Sequence, residues 1–409
     1  MQFDLQSVIK TLSKWVEIKS VKSTPCAGAP FGKGVNDMLI KALLDAEIMG
    51  FETKNYGGYI GEVIFGEGSD EKGLAILCHL DVVPEGDLSR WEFNPYKLTL
   101  KDGFLYGRGV LDDKGASVVC LYALKSLKDE GFIPSKKIKL IFGLDEESGW
   151  GCIEHYNKVA VMPDTGFSPD GEFPVLYAEK GIYHVRYKFK LSSEIEYILG
   201  GERPNVVCDK AVIKLKNQPE MVFKGVSAHG STPEKGDNAI KKALEYLVQK
   251  GLFNSADYEN LFNNKLFEKV VDESGILTFS PNVIGVEKGK IVITVDVRYP
   301  ATYSLLEIEK LLSKVGGFEV LSHHKPLFQD KNGELVTTLS QVYEKHTGVK
   351  LEPTVTGGGT YARALKNGVA FGPVEAGEEC CHEPNERISV KTLEKCFYIY
   401  KNAIKELSK

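Results

Sequence analysis

The sequence predicts an α/β protein, a layered domain on a mostly parallel sheet that is interrupted by an inserted α+β domain. Three observations predict it. The apolar runs 73–78 and 139–144 are nearly continuous, which suits strands covered on both faces. Between them, residues 113–128 carry Val118, Leu121, Leu124 and Leu127 at helical spacing, and strand, helix, strand implies a right-handed parallel crossover. After about Ala178 the texture changes to alternating strands, and the α/β character returns near Leu327. The expected boundaries are 1–178 and 327–409 for the outer domain and 179–326, about 148 residues, for the insert.

Each element has its own signal. Residues 3–18 and 35–49 are amphipathic helices, the second stopped by Gly50. Residues 59–65 alternate as a strand, and Gly131 follows the end of the 113–128 helix. In the insert, 183–189, 220–226 and 291–297 alternate cleanly and read as antiparallel strands with one wet face. Helices are expected at 239–248 and 305–312 within it, then at 335–345 and 390–407. There are no internal repeats or low-complexity tracts.

Composition excludes several classes of function. The 409 residues are 43% hydrophobic and 26% charged, an ordinary globular balance rather than a disordered or fibrous one. Fifty-one Lys+Arg against 56 Asp+Glu give a charge of -5, with signs interspersed, so no nucleic-acid groove or polybasic membrane patch is expected. No apolar run approaches the roughly 20 residues of a membrane span. The first six residues have an early acid and no apolar core, unlike a signal peptide. Eight scattered cysteines without a Cys-x-x-Cys suggest reduced thiols and a cytoplasmic location.

Candidate chemistry lies mainly at strand ends. His79-Leu80-Asp81 closes the first buried run; residues two apart on a strand share a side, so Asp81 can fix the tautomer of His79. In Asp112-Asp113-Lys114-Gly115 one carboxylate can cap the following helix, or leave the cap for a cation. Asp145-Glu146-Glu147 follows the second run, and three acids there are unfavourable unless something positive faces them. Asp170 sits in the turn Ser168-Pro169-Asp170-Gly171, and His382 in the loop before the last helix. His79, Asp112, Glu147, Asp170 and His382 supply two imidazoles and three carboxylates, suited to zinc, manganese or cobalt. Five ligands exceed the three of one open catalytic zinc, so two metals sharing a carboxylate fit better.

These motifs resemble those of the co-catalytic metallopeptidases related to aminoacylase, carnosinase and glutamate carboxypeptidase. The resemblance is carried by Cys78-His79-Leu80-Asp81, Gly107 to Gly115, Asp145 to Gly149, Ser168-Pro169-Asp170 and His382-Glu383-Pro384-Asn385-Glu386, in family order. Gly200-Gly201-Glu202-Arg203-Pro204-Asn205 and Gly225 to Gly230 resemble the bacterial PepV-like dipeptidases within that superfamily. The resemblance implies two Zn2+ (or Mn2+ or Co2+) bridged by Asp112, with His79 and Asp170 on one ion and Glu147 and His382 on the other. It also implies Glu146 as general base, Asp81 as orienter of His79, and a small peptide as substrate.

Further roles are implied for the insert, which would act as a lid. His229, otherwise a surface-loop histidine, would donate to the oxyanion. Arg298, which could instead pair with Asp296 on an exposed face, would clamp the substrate's terminal carboxylate. Gly357-Gly358-Gly359-Thr360 lacks the Gly-Lys-Ser/Thr ending of a phosphate loop. By resemblance, Gly359 and Thr360 meet the same carboxylate, and Asn205 contacts the substrate carbonyl or carboxylate. Other activities on this scaffold, such as N-acyl-amino-acid deacylation or succinyl-diaminopimelate desuccinylation, share the metal motifs. A catalytically silent metal-binding protein is the alternative of a different class. The insert is shorter than expected for PepV-like enzymes and longer than in simpler dimeric relatives, which leaves monomer and homodimer both open.

Overall fold

The computed structural model describes residues 3–375, 377–378 and 380–409. Two compact units emerge. The first takes the chain up to Tyr177, then Gln329–Thr354 and Thr360–Lys409; the second comprises Ala178–Phe328 and Val355–Gly359.

The first unit opens with helices α1 (Leu5–Val16) and α2 (Lys33–Ile48) and strands β1 (Glu52–Asn55), β2 (Ile60–Phe65) and β3 (Leu74–His79). The hairpin β4 (Thr99–Lys101) and β5 (Phe104–Tyr106) precedes α3 (Lys114–Asp129), β6 (Ile138–Gly143), α4 (Gly151–Val159) and β7 (Thr165–Ser168). In the sheet, β3 lies between β6 and β7 and is parallel to both, while Asn367–Ala370 runs parallel to β7. β2 joins antiparallel to β6, and β1 to β2. Residues 75–78 of β3 are fully buried, as a central strand with covered faces requires. On α3, Val118, Leu121, Leu124 and Leu127 are all buried, and the helix packs against α1 and the terminal helix Val390–Leu407. Arg387–Ser389 pairs antiparallel with β5 and so places the loop before it beside the loop after β5.

The second unit is a seven-stranded antiparallel sheet. Its order is Met221–Lys224, Lys210–Leu215, Ile195–Gly200, Thr278–Glu287, Lys290–Tyr299, Gly181–Lys190 and Phe318–His324. Helices Ala239–Gln249, Ser255–Phe262 and Leu305–Leu312 contribute Ala243, Leu244, Leu261 and Ile308 to its core. Two expectations are corrected here. Lys290–Tyr299 has no wet face: every residue after Lys290 is buried, because the strand sits mid-sheet and its polar residues Asp296 and Arg298 are buried together. Val355–Gly359 belongs with this unit rather than with the outer domain. Lys180 N–H donates to the Thr356 carbonyl, and Arg298 Nη1 donates to that of Gly357. Among the described residues no helix is long and apolar enough to cross a membrane.

Candidate metal centre

Three adjacent parallel strands bring four of the predicted groups to one edge of the sheet. His79 ends β3, Glu146 and Glu147 follow β6, and Asp170 follows β7. The carboxyl edge of a parallel sheet is where open α/β folds bind ligands. Asp112 comes from the loop before α3, and His382 from the loop before Arg387–Ser389.

Asp112 is shared between the two imidazoles: its Oδ1 lies 2.8 Å from His79 Nε2, and its Oδ2 3.0 Å from His382 Nε2. On the His382 side, Glu147 Oε2 is also 3.0 Å from Nε2. On the His79 side, Asp170 Oδ2 is 3.7 Å from Nε2. Donor atoms of His79, Glu146 and Asp170 lie within 4.8 Å of one another, and so do those of His79, Asp112 and Glu147. Glu146, expected as a base, therefore stands with the ligand-type groups around His79.

Charge within the cluster fits a cation site. Burial and the Asp170 charge push the Glu146 carboxyl well above the usual carboxylate range. Burial and Asp112 push Glu147 up as well. Burial alone would depress both imidazoles, but Asp112 holds His79 well above its ordinary value, and Glu147 with Asp112 holds His382 up at about 11. Two imidazoles facing four crowded carboxylates form a donor set for divalent metal, which would relieve the like-charge repulsion.

Two residues around His79 do work the sequence did not indicate. The Nδ1 of His79 hydrogen-bonds the main-chain carbonyl of Asp81 at 2.9 Å, whereas the Asp81 carboxylate stands 3.7 Å away. That carboxylate instead accepts the N–H groups of Glu146 and Glu147, both at 3.1 Å. Asp81 thus fixes the histidine through its backbone and the glutamate pair through its side chain. Asp113, at the cap position of α3, makes no side-chain cap; its Oδ2 accepts the His79 N–H at 3.1 Å. Also unforeseen were Arg108, Asn385 and Glu386. The motif containing the last two was legible, but no spacing rule marks which of its residues point inward.

The remaining predicted residues gather in the second unit, except Thr360. The Asn205 carbonyl accepts the Gly230 N–H at 2.8 Å, next to His229, and His229 Nδ1 contacts Ser231 Oγ at 2.7 Å. A Cβ on Gly230 would lie 2.1 Å from Asp296 Oδ2, so only glycine lets this loop approach the strand. Arg298 is buried, with Nε and Nη2 on the two oxygens of Asp296 at 2.8 and 3.0 Å. The expected Asp296 partner is present, but in the interior rather than on an exposed face. Arg298 Nη1 donates to the carbonyl of Gly357, which leads into Gly358 and Gly359. Thr360 belongs to the first unit, where its Oγ1 accepts the Ala362 N–H at 3.2 Å.

Comparison with known proteins adds three findings. The profile of peptidase family M20/M25/M40 matches residues 75–406. A Beta-Ala-Xaa dipeptidase of Lactobacillus delbrueckii subsp. lactis is 32% identical, covering 98% of this chain and 96% of its own. That alignment runs over 456 positions against 409 residues here, so the relative carries at least 47 residues without a counterpart. Among solved structures, the Saccharomyces cerevisiae di-peptidase Dug1p superposes with a TM-score of 0.65 at 15% identity, over 100% of this chain and 99% of that one. Human carnosine dipeptidase 1 gives 0.62 at 14%, over 99% and 97%.

Proposed function

This chain belongs to peptidase family M20/M25/M40 and is a metallopeptidase, and on that premise we propose that it is a two-metal dipeptidase selective for a free C-terminal carboxylate. The observation that carries the reading is the Asp112 carboxylate, one oxygen to each histidine, with Glu146 grouped with His79 and Asp170 on one side. Asp112 would be held in common by the two ions, His79 and Asp170 completing one set and Glu147 and His382 the other. Zinc is the first candidate; manganese and cobalt suit the same donors. Bound metal supplies Lewis acidity and a water acidic enough to be deprotonated near neutral pH.

The chain's own residues do the rest. Glu146 stands among the ligand groups around His79, and burial together with the Asp170 charge raises its carboxyl above the usual carboxylate range, which makes it the stronger proton acceptor a general base needs to be. It takes the proton of the attacking water and delivers it to the departing amine. Asp81 keeps Glu146 and Glu147 in register by binding both main-chain N–H groups. In the second unit, Arg298 with the 357–359 turn recognises the terminal carboxylate, Asn205 is a further substrate contact and His229 donates to the developing oxyanion; Thr360, in the first unit, is another substrate contact.

The test uses chelated protein reconstituted with Zn2+, Mn2+ or Co2+. Its panel holds α- and β-alanyl dipeptides, an amidated dipeptide, a tripeptide, N-acetyl amino acids and succinyl-diaminopimelate. Metal-dependent cleavage confined to dipeptides with a free carboxylate is expected; preference for an acyl substrate overturns the specificity. Glu146→Gln should still bind two metals while kcat falls about 100- to 10,000-fold. Near-normal turnover in that variant refutes the assigned base.

A further inference from the structure

Glu386 is fully buried, four residues past His382, and its carboxylate is filled with donors from the loop that carries Asp112. Oε1 accepts the N–H groups of Gly109, Leu111 and Asp112 at 3.0, 2.9 and 3.2 Å. Oε2 accepts Arg108 Nη1 at 2.7 Å and shares the Gly109 N–H at 3.0 Å. The Glu386 carbonyl takes the Gly107 N–H at 3.1 Å. A run of main-chain N–H groups converging on one anion is an anion nest, here occupied by a carboxylate from the chain itself. The curl of the loop depends on Gly109, at φ +89°, where an added Cβ would sit 3.0 Å from Val82 Cγ1.

The two imidazoles are anchored differently. His79 is fixed by its strand, by the Asp81 carbonyl on Nδ1 and by Asp113 on its N–H, none of which involves Glu386. His382 is half exposed, with φ +64°, in the loop that Glu386 ties to residues 107–112. Asn385 secures the same loop by accepting the Glu92 N–H at 2.6 Å and donating to the Arg90 carbonyl at 3.0 Å.

We propose that Glu386 is a positioning residue that sets the distance between the bridging Asp112 and His382, and thereby selectively supports the metal shared by Asp112, Glu147 and His382. The proposal rests on the two-metal reading. In Glu386→Gln the one remaining acceptor oxygen cannot satisfy both the main-chain N–H groups and Arg108, so the 382–386 loop is no longer held against residues 107–112 and His382 draws away from Asp112. The His79 set keeps its anchors.

Metal binding tests this without recourse to activity. Chelated wild-type chain and Glu386→Gln are titrated with Zn2+ against a competing chelator, their fold compared by near-ultraviolet circular dichroism. Wild type is expected to take two equivalents. In Glu386→Gln one equivalent should bind within a few-fold of wild type and the other about 10- to 100-fold more weakly, the range for loss of a ligand's supporting partner. Both affinities unchanged, or both weakened alike, overturns the proposal. Fewer than two equivalents on wild type removes the two-metal reading and the proposal with it. If Glu386→Gln does not fold, Arg108→Gln withdraws one donor and keeps the main-chain ones. It should then weaken the same single equivalent to a smaller degree, and equal weakening of both overturns the proposal.

Discussion

At Arg298 two demands meet in one guanidinium. Nε and Nη2 are held by Asp296, which leaves Nη1, on Gly357, as the end that faces the glycine-rich turn. Burial pushes the Asp296 carboxyl up, but Arg298 more than offsets this and keeps it below the usual range. Arg298→Ala therefore strands a buried carboxylate, a change that costs about 3–5 kcal/mol. Its loss of activity would then mix unfolding with lost recognition. Arg298→Lys is the informative variant, since it keeps the charge and gives up the planar fork. It is expected to raise KM for dipeptides more than KM for an ester lacking the terminal carboxylate, with kcat little altered. Equal effects on both substrates remove Arg298 from carboxylate recognition.

Among the elements, the helix Leu305–Leu312 is short, and isolated helices of that length are marginal in water. Its start is secured by a capping box: Ser304 Oγ accepts the Glu307 N–H at 3.4 Å, and Glu307 Oε2 accepts the Ser304 N–H at 2.9 Å. Ser304→Ala should weaken the helix by about 1 kcal/mol. Hydrogen exchange is the suitable measurement, because the loss is local and should appear as faster exchange at amides 305–308 while those of β3 are unaffected. This helix and Val390–Leu407 begin and end where the sequence places them, as apolar period and cap signal agree there. Gly151–Val159 and Ser255–Phe262 are not marked in the sequence, since their polar-rich stretches lack the dense apolar pattern of the equally short Leu305–Leu312, with Leu305, Leu306, Ile308, Leu311 and Leu312.

Over the whole molecule, acid stability depends on carboxylates whose partners are far away in sequence. Burial would raise Glu85, but Lys19 at 2.5 Å and the Tyr96 hydroxyl at 2.7 Å bring it down to about 2. Lys137 likewise lowers Asp70. A carboxyl with a depressed folded pKa stabilises the fold fully above its unfolded value of about 4.3, and that contribution fades as pH falls toward the folded value. Glu85→Gln should therefore lower Tm at pH 7 and progressively less between pH 4.3 and 2. A Tm difference that does not narrow over that window excludes Glu85 as a source of acid sensitivity.

What the sequence determined was whatever is written locally. The β3–α3–β6 order, the changes of texture near residues 178 and 327, and the motifs bearing His79, Asp112, Glu147, Asp170 and His382 rest on apolar periodicity and short polar signatures. These survive in one dimension because the chain's own spacing sets which side each residue faces. Only the tertiary structure decided which carboxylate is spent on what. Asp113 leaves the cap for the His79 backbone, Asp81 binds the Glu146–Glu147 turn with its side chain, and Glu386 fills a nest made by residues 107–112. It likewise assigned the 355–359 turn to the second unit and put the Asp296–Arg298 pair in the interior. Each of these outcomes depends on a hydrogen-bond donor or a covering surface contributed by a distant segment, and no local pattern records which donor a folded chain will present to a given acid.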